Sequence, residues 1–464
     1  MSAPLDALSQ TTGAAWLVGG AVRDRLLGRP TADFDVAVGD DPRPMARTLA
    51  NAAGGHAFKL SEGFGAWRVV ARDHTWQVDL LPLNGETIEA DLARRDLTIN
   101  AIAEPLAGGS YLDPFGGLED LRARRLRMVS PRAFAEDPLR TLRLARLGCE
   151  LGFELDPDTM ALASESARAL DRVASERIFA ELKRIMIADR ALDGLELVDS
   201  LGATAVVLPE LSELRGVEQS RFHHLDVYEH TRVVLAEVIE IERDPEPAFG
   251  RQVNAIRAVL SEPLANELTR GQALRFGALF HDIAKPQTRG VSASGRVTFI
   301  GHDEAGAQVA AAVLRRLRAS ERLSEHVAAL ARNHLRLGFL VHEMPLPRQA
   351  IYRYLRACAP VEVDVTVLSV ADRLATRGAG AEDAIAKHVR LAQELVGEAL
   401  SWREHPPVPP VRGDLLARAL GLRPGPQLGR ILEELTEASF AGEIHTPEEA
   451  IRRAGQTLGR LPPR

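Results

Sequence analysis

The sequence predicts an α+β protein, a small α/β head followed by an all-helical remainder. Three observations carry this. The first 150 residues alternate helical segments with short β-type runs at Trp16 to Val18, Phe34 to Val38, Trp67 to Ala71 and Trp76 to Leu81. From about Asp137 onward the strand signals almost vanish, and Leu, Ala, Arg and Glu recur at helical spacing. The chain of 464 residues exceeds one hydrophobic core and suits roughly three domains of about 150 residues each.

Composition excludes several classes. A hydrophobic fraction of 45% and a charged fraction of 26% are those of a folded globular protein, so wholesale disorder and a fibrous repeat are ruled out. The net charge of −7 provides no global positive field, and a nucleic-acid partner must be met by a local patch. Two cysteines, Cys149 and Cys358, are too few for a disulfide framework and lack metal-ligand spacing, as expected in a reducing compartment. Residues 1–20 have no basic start followed by an apolar core, and no segment approaches about 20 uninterrupted apolar residues. A cytoplasmic protein with no membrane partner is therefore expected. Punctuation at Leu208-Pro209-Glu210, at Glu242 to Pro247 and in the Pro-rich stretch Glu404 to Pro410 divides the helical part. The expected segments are a head over 1–135, a neck over 136–215, a His-rich domain over 216–400 and a tail over 401–464.

Within the head, Trp16-Leu-Val-Gly-Gly-Ala-Val-Arg-Asp-Arg-Leu-Leu-Gly28 reads as a buried strand, a turn at Gly19 and Gly20, and a helix. Two glycines let the backbone approach a bulky anion, and Arg23 one turn into the helix would offer it a guanidinium. By itself this pattern equally describes an ordinary βα turn. Asp33-Phe34-Asp35-Val36-Ala37-Val38 adds the chemistry, because alternate strand residues face one way at roughly 6.5 to 7 Å between Cα atoms. Asp33 and Asp35 can then clasp the same divalent cations while Phe34 and Val36 enter the core, the arrangement of a two-metal site. Asp79 on the next strand is either a third carboxylate at that edge or a surface-facing residue.

Leu17-Val-Gly-Gly-Ala-Val-Arg-Asp followed by Asp33-x-Asp35, Arg94-Arg-Asp-Leu-Thr-Ile-Asn-Ala101, Asp113-Pro-Phe-Gly-Gly117 and Glu136-Asp-Pro-Leu-Arg140 resembles the class II nucleotidyltransferases, the CCA-adding enzymes and bacterial poly(A) polymerases. The match is ordered, specific, and spans head and neck. The resemblance implies that Gly20 and Arg23 contact a nucleoside triphosphate, CTP or ATP, and that Asp33 and Asp35 bind Mg²⁺ and are catalytic. It assigns Arg95 to the nucleotide, and Asp137, Arg140, Arg143 and Arg146 to its base and phosphates, with tRNA as the macromolecular partner. A carboxylate accepting from an exocyclic amine beside an arginine donating to ring acceptors copies a Watson–Crick edge, which selects C and A over G and U. Asp137 also suits a helix cap ahead of Pro138, and the arginines at spacing three also suit a solvated stripe. Ser175-Glu-Arg-Ile-Phe-Ala-Glu181-Leu resembles a further motif of that family that props the nucleotide-reading helix, and Arg177 and Glu181 are spaced for an i, i+4 pair.

The His-rich domain carries an ordered set: His230, His281-Asp282, His302, His334 and Asp372. Imidazoles and carboxylates suit one or two transition-type divalent ions and an activated water that attacks a phosphoester. The order resembles the HD phosphohydrolases, which implies ligation by His230, His281, Asp282 and Asp372, with His302 and His334 as second-site ligands. His223 and His224 fall outside the pattern and are expected to be structural. In the tail, Arg412-Gly-Asp-Leu-Leu and Gly421-Leu-Arg-Pro-Gly-Pro-Gln-Leu-Gly429 resemble C-terminal segments of the same bacterial enzymes, and their glycines either grip RNA phosphate or simply turn helices.

The expected activity is template-independent addition of C, and of A if the site can switch, to tRNA 3′ ends with release of pyrophosphate. A poly(A) polymerase is the alternative, although the Arg-rich stretch such relatives carry after the metal strand is replaced by Asp40-Asp-Pro-Arg-Pro-Met-Ala. A third possibility is chiefly a phosphohydrolase with a degenerate head, and a fourth a non-catalytic RNA-binding protein. The intact Asp33-x-Asp35 and Asp137-x-x-Arg140 argue against both. Leu80 to Ala93 is short for the loop that accompanies the switch from C to A, so CC addition is expected to dominate.

Overall fold

The computed structural model describes residues 3–8, 14–60, 65–219, 225–377 and 381–458. The chain forms two compact units, Met1–Val207 and Leu208–Arg464. His223 and His224 lie outside the described residues.

The first unit is built on a six-stranded mixed sheet of β1 (Ala15–Val18), β2 (Asp33–Val38), β3 (Gly55–Lys59), β4 (Trp67–Ala71), β5 (Gln77–Pro82) and β6 (Ala103–Pro105), in the order β3-β4-β5-β2-β1-β6. All four β-type runs of the sequence are strands; β3 and β6 are additional and form the two edges. The central pair β2 and β5 is parallel, with Phe34 beside Val78 and Asp35 beside Asp79. Phe34, Val36, Val69, Val78 and Leu80 are buried, so one face of the sheet is dry core and the carboxylates occupy the other. Helix Pro42–Ala53 is capped by Asp41 and ends on Gly54 at φ 68°. Beyond the sheet the unit is helical apart from a two-stranded ribbon of Arg125–Leu126 and Glu154–Leu155, led by Arg140–Leu151, Ser175–Ile187 and Ala191–Ser200. Its class changes where the sequence predicts.

The second unit is helical apart from two small two-stranded ribbons. Helices Val227–Arg243, Arg270–Phe280, His302–Arg316, Glu321–Asn333 and Glu362–Ala375 carry the histidine set, and Ala381–Glu404 packs against Glu362–Ala375. Asp226 caps the first of these, and Thr269 with Gln272 forms a capping box on the second. Helices Gly413–Leu420, Pro426–Phe440 and Pro447–Leu458 enclose a separate small core of Leu416, Leu428, Ile431, Leu435 and Ala450. Gly421 is the left-handed C-cap of the first tail helix, at φ 64°.

Cys149 and Cys358 are buried free thiols, and burial pushes both up to about 12. No helix among the described residues is long and apolar enough to cross a membrane.

Candidate functional site

In the head, β1 delivers the chain to Gly19, whose φ of 71° is a left-handed conformation that favours glycine. A Cβ there would lie 2.9 Å from Arg95 Nη1 and 3.2 Å from Asp35 Oδ2, so the turn also needs the missing side chain for space. Helix Gly20–Leu26 follows and buries Arg23, which donates through Nη1 to Asn100 Oδ1 at 2.8 Å and through Nε and Nη2 to Asp24. Asn100 is held in turn, giving its Nδ2 to Asp96 at 3.0 Å.

A chain of supports reaches back from that asparagine. Asp113 accepts from the Gly117 and Leu118 N–H groups at 2.6 and 2.9 Å, and a Cβ on Gly117 would meet the Thr98 carbonyl at 2.2 Å. The Asp113 to Gly117 motif is thus the floor under the Thr98–Asn100 turn. Asp120 fixes the same turn, accepting from Thr98, Arg125 and Arg127 while fully buried.

These elements enclose a cavity of about 510 Å³, which Gly19, Gly20, Arg23, Asp33, Asp35 and Arg95 line together with Arg140, Arg143, Arg146 and Glu181. Burial raises the Asp35 carboxyl; Arg95 opposes this, and Asp79 and Asp33 add to it. Such a carboxylate gains from a dication, so the pair Asp33 and Asp35 fits a divalent ion. Asp79 shares the face of Asp35, yet Arg68 takes both its oxygens, Nε to Oδ1 at 2.6 Å and Nη2 to Oδ2 at 2.7 Å. Of the two places open to Asp79, the structure has the first: it is a third carboxylate at the edge of Asp35, and there it is held in a cross-strand ion pair with Arg68.

The neck arginines differ in how firmly they are engaged. Arg140 donates to the Arg94 carbonyl at 2.6 Å and to that of Ala133 at 3.0 Å, clamping the Arg94-Arg95 turn. Arg143 bridges Asp96 and Glu181 at 3.3 and 3.4 Å. Arg146 is buried, with Nε on Glu181 at 2.5 Å and Nη1 on Glu150 at 2.8 Å. Burial would raise Asp96, but Arg143, the Asn100 amide, the Leu97 N–H and Arg140 outweigh it and hold the carboxyl below its usual value. Asp137 is not among the cavity-lining residues. Its Oδ2 holds Arg177 Nη2 at 2.7 Å and its Oδ1 takes the Leu139 N–H at 3.3 Å, while helix Arg140–Leu151 starts after Leu139 without a side-chain cap. The expected Arg177–Glu181 pair is corrected by this geometry: both residues turn away from their own helix, Arg177 to Asp137 and Glu181 to Arg143 and Arg146. The motif props the neighbouring helix through those contacts. Asn100, Asp96 and Asp91 were missed as positioning residues, although the first two stand inside the Arg94 to Ala101 motif. Asp91 accepts the Asn84 N–H at 3.0 Å and Arg95 Nη2 at 3.2 Å.

In the second unit the histidine set converges. His281 Nε2 lies 3.1 Å from Asp282 Oδ2, His302 Nε2 3.3 Å and His334 Nε2 3.7 Å from Asp282 Oδ1, and His230 Nε2 3.0 Å from Asp372 Oδ1. Two groups have ligand-to-ligand spacings suited to an ion, His230-His281-Asp282 and Asp282-His302-His334, and Asp282 is shared. Each of three imidazoles is pinned through Nδ1 to the carbonyl three residues earlier, His281 to Ala278 at 2.8 Å, His302 to Phe299 at 2.7 Å and His334 to Ala331 at 2.6 Å. That leaves Nε2 directed inward, the outer-sphere pattern of metal-binding histidines. His281 Nε2 and Asp282 Oδ1 are buried without a hydrogen-bond partner, an arrangement that fits a divalent ion. Burial pushes His334 down to about 4, with the neighbouring His281 adding to it. Lys285, one turn after the ligands, was missed; its Nζ lies 2.6 Å from Asp282 Oδ2.

Residues 15–127 match the poly A polymerase head domain, 152–214 the probable RNA- and SrmB-binding site of polymerase A, and 227–377 the HD domain. The chain is 37% identical over 444 residues to an A-adding tRNA nucleotidyltransferase of Deinococcus radiodurans, covering 94% of each chain. It is 36% identical over 444 residues to a CC-adding tRNA nucleotidyltransferase of Thermus thermophilus, covering 94% of this chain and 92% of that one. A CCA-adding enzyme solved with CTP shares the fold at a TM-score of 0.64 and 19% identity, covering 96% of this chain and 91% of that one. With a nucleotidyltransferase head, the RNA-binding segment and an HD domain in that order, the chain belongs to the class II tRNA nucleotidyltransferase family.

Proposed function

We infer that the protein adds C to the 3′ end of tRNA, taking CTP and releasing pyrophosphate in the cytoplasm. The observation that carries this reading is the 510 Å³ cavity in which Asp33 and Asp35 meet the Gly19-Gly20 turn, Arg23, Arg95 and the neck arginines. Asp33 and Asp35 would hold Mg²⁺, which when bound neutralises phosphate charge and favours the alkoxide form of the attacking hydroxyl. Gly20 and Arg23 receive the triphosphate, and Asn100 keeps Arg23 in its rotamer. Arg95, held by Asp91, adds positive charge beside Asp35. Arg140, which lines the cavity, would read the base edge together with Asp137, which must leave Arg177 and turn inward to do so, and Arg143 and Arg146 complete the positive wall. The primer hydroxyl forms a bond to the α-phosphorus as the bond to pyrophosphate breaks. The functional segments follow as head 1–135, neck 136–215, metal domain 216–400 and tail 401–464.

Addition of C without a switch to A is supported by the tether between β5 and Arg94. The chain there turns at Asn84, forms helix Ile88–Leu92, and is tied at both ends through Asp91. A segment so engaged has little freedom to re-aim the base-reading residues. The HD domain would be a divalent-metal-dependent phosphohydrolase, supported by the two ligand groups around Asp282. The first reading is tested by giving purified protein tRNA lacking its CCA end, with CTP and ATP separately and together. A dominant CC end is expected. A dominant CCA end overturns the restriction to C, and A added only to tRNA ending in CC overturns the choice of C. Extension retained by Asp33→Asn or Asp35→Asn overturns the catalytic assignment.

A further inference from the structure

The cavity over the Asp282 cluster measures about 760 Å³, much larger than the ligand set it contains, so most of its wall faces something other than ions. A phosphate ester brings anionic oxygens and an organic group into such a space. Among the described residues two Lys or Arg side chains line it, Lys285 and Arg373. Lys285 is spent, with Nζ 2.6 Å from Asp282 Oδ2 and 2.6 Å from Gln219 Oε1. Arg373 lies on helix Glu362–Ala375 beside Asp372, on the stripe with Ser369 and Thr376 that lines the cavity. Its Nε is buried and has no hydrogen-bond partner. Leaving such a donor unmatched costs about 1–3 kcal/mol, which an incoming phosphate oxygen would recover through a charge-assisted bond.

The wall also carries two large apolar side chains in water, Ile300 at 86% and Phe339 at 69% exposure. Ile300 sits just before helix His302–Arg316 and Phe339 in helix Arg336–Leu340, so separate segments bring them to one cavity. A flat ring laid on Phe339 would take that side chain out of solvent and add stacking, and Ile300 offers further apolar surface in the same cavity.

We propose that Arg373 receives the phosphate oxygens of the HD-domain substrate, and that Phe339 with Ile300 seats its organic group, selecting phosphate esters that carry a flat ring. This rests on the phosphohydrolase reading above. The test is calorimetric binding of methylphosphonate and phenylphosphonate, which are not hydrolysed, to the full chain supplied with Mn²⁺. Binding that His281→Ala abolishes defines the HD component. Native protein is expected to bind the phenyl compound about tenfold more tightly than the methyl one, as one stacking contact is worth. Arg373→Gln is expected to weaken both about tenfold, with Arg373→Lys recovering part of the loss. Phe339→Ala should erase the phenyl preference and leave methylphosphonate affinity as it was. Native methylphosphonate affinity in Arg373→Gln, or an undiminished phenyl preference in Phe339→Ala, overturns the proposal alone if native protein hydrolyses p-nitrophenyl phosphate. Absence of both that hydrolysis and all His281-dependent binding overturns the phosphohydrolase reading, and the proposal with it.

Discussion

Glu181→Ala removes the one carboxylate that two buried or half-buried guanidinium groups share. In the native chain Glu181 is buried, 2.5 Å from Arg146 Nε and 3.4 Å from Arg143 Nε. After the substitution Arg146 keeps only Glu150 and Arg143 keeps only Asp96. Breaking a buried pair from one side typically costs about 3–5 kcal/mol. The remaining partners soften this, so a loss of about 3 kcal/mol is expected. For the unit of 207 residues, Met1–Val207, that corresponds to a melting transition lowered by roughly 6–12 °C. Most of the cost is the uncompensated charge of Arg146, so adding Arg146→Met to Glu181→Ala should restore more than half of the stability. Urea unfolding of both variants, followed by circular dichroism, measures this. A loss below about 1 kcal/mol for Glu181→Ala, or no recovery in the double variant, would refute the assignment of Glu181 as the charge that holds these arginines.

Asp137→Ala should raise misincorporation of U, since a lost base contact is worth about 1–3 kcal/mol, and sequencing of extended 3′ ends reads it out. Gly19→Ala should sharply reduce nucleotide incorporation, because the new methyl meets Arg95 and Asp35 and the φ of 71° adds strain; native CTP turnover in this variant would show that the turn tolerates a side chain. His281→Ala should abolish metal-dependent phosphoester hydrolysis while Asp33→Asn abolishes extension, each leaving the other reaction measurable; loss of both activities in either folded variant would mean that the centres are coupled. Asp96 has a lowered folded-state value, so it contributes stability above its unfolded pKa of about 3.9 and loses it as pH falls through the folded value. Below about pH 4, Asp96→Asn should therefore lose less stability on acidification than native protein, as acid titration followed by tryptophan fluorescence would show.

The sequence made legible those parts whose physics is local. The four strands it predicts are runs of apolar and β-branched residues whose side chains enter the core. The two strands of the six-stranded sheet that it misses are its edges: Gly55–Lys59 is largely exposed, and Ala103–Pro105 is three residues ending in proline, so neither needs an alternating apolar pattern. Sheet order could not be read, because strand pairing leaves no mark within a strand. Ordered motifs mark the residues that converge on the head cavity and on the Asp282 cluster, with Asp137 outside the former. The partners across the fold were not legible: Asn100 reaches Arg23, and Glu181 reaches Arg143 and Arg146, over distances in sequence that only the fold closes, whereas Asp91 acts on its i, i+4 neighbour Arg95. Arg177 and Glu181 show the limit, since helical spacing correctly puts both on one face while their actual partners stand on another element. Arg373 and Phe339 had no signal at all, being ordinary residues until the cavity wall brings them together.

The pairing of β2 with β5 places Asp35 against Asp79 and Phe34 against Val78. Because the side-chain period of a strand is two, displacing β2 by one residue would drive Asp33 and Asp35 into the space that Phe34 and Val36 fill, and push those apolar chains out among the cavity's arginines. One mistake would thus strip the site of its carboxylates and charge the core together. The stretch from Thr31 to Gly39 is therefore intolerant of insertions and deletions while accepting conservative replacement of its apolar residues. Its length is as much a functional property as its two aspartates.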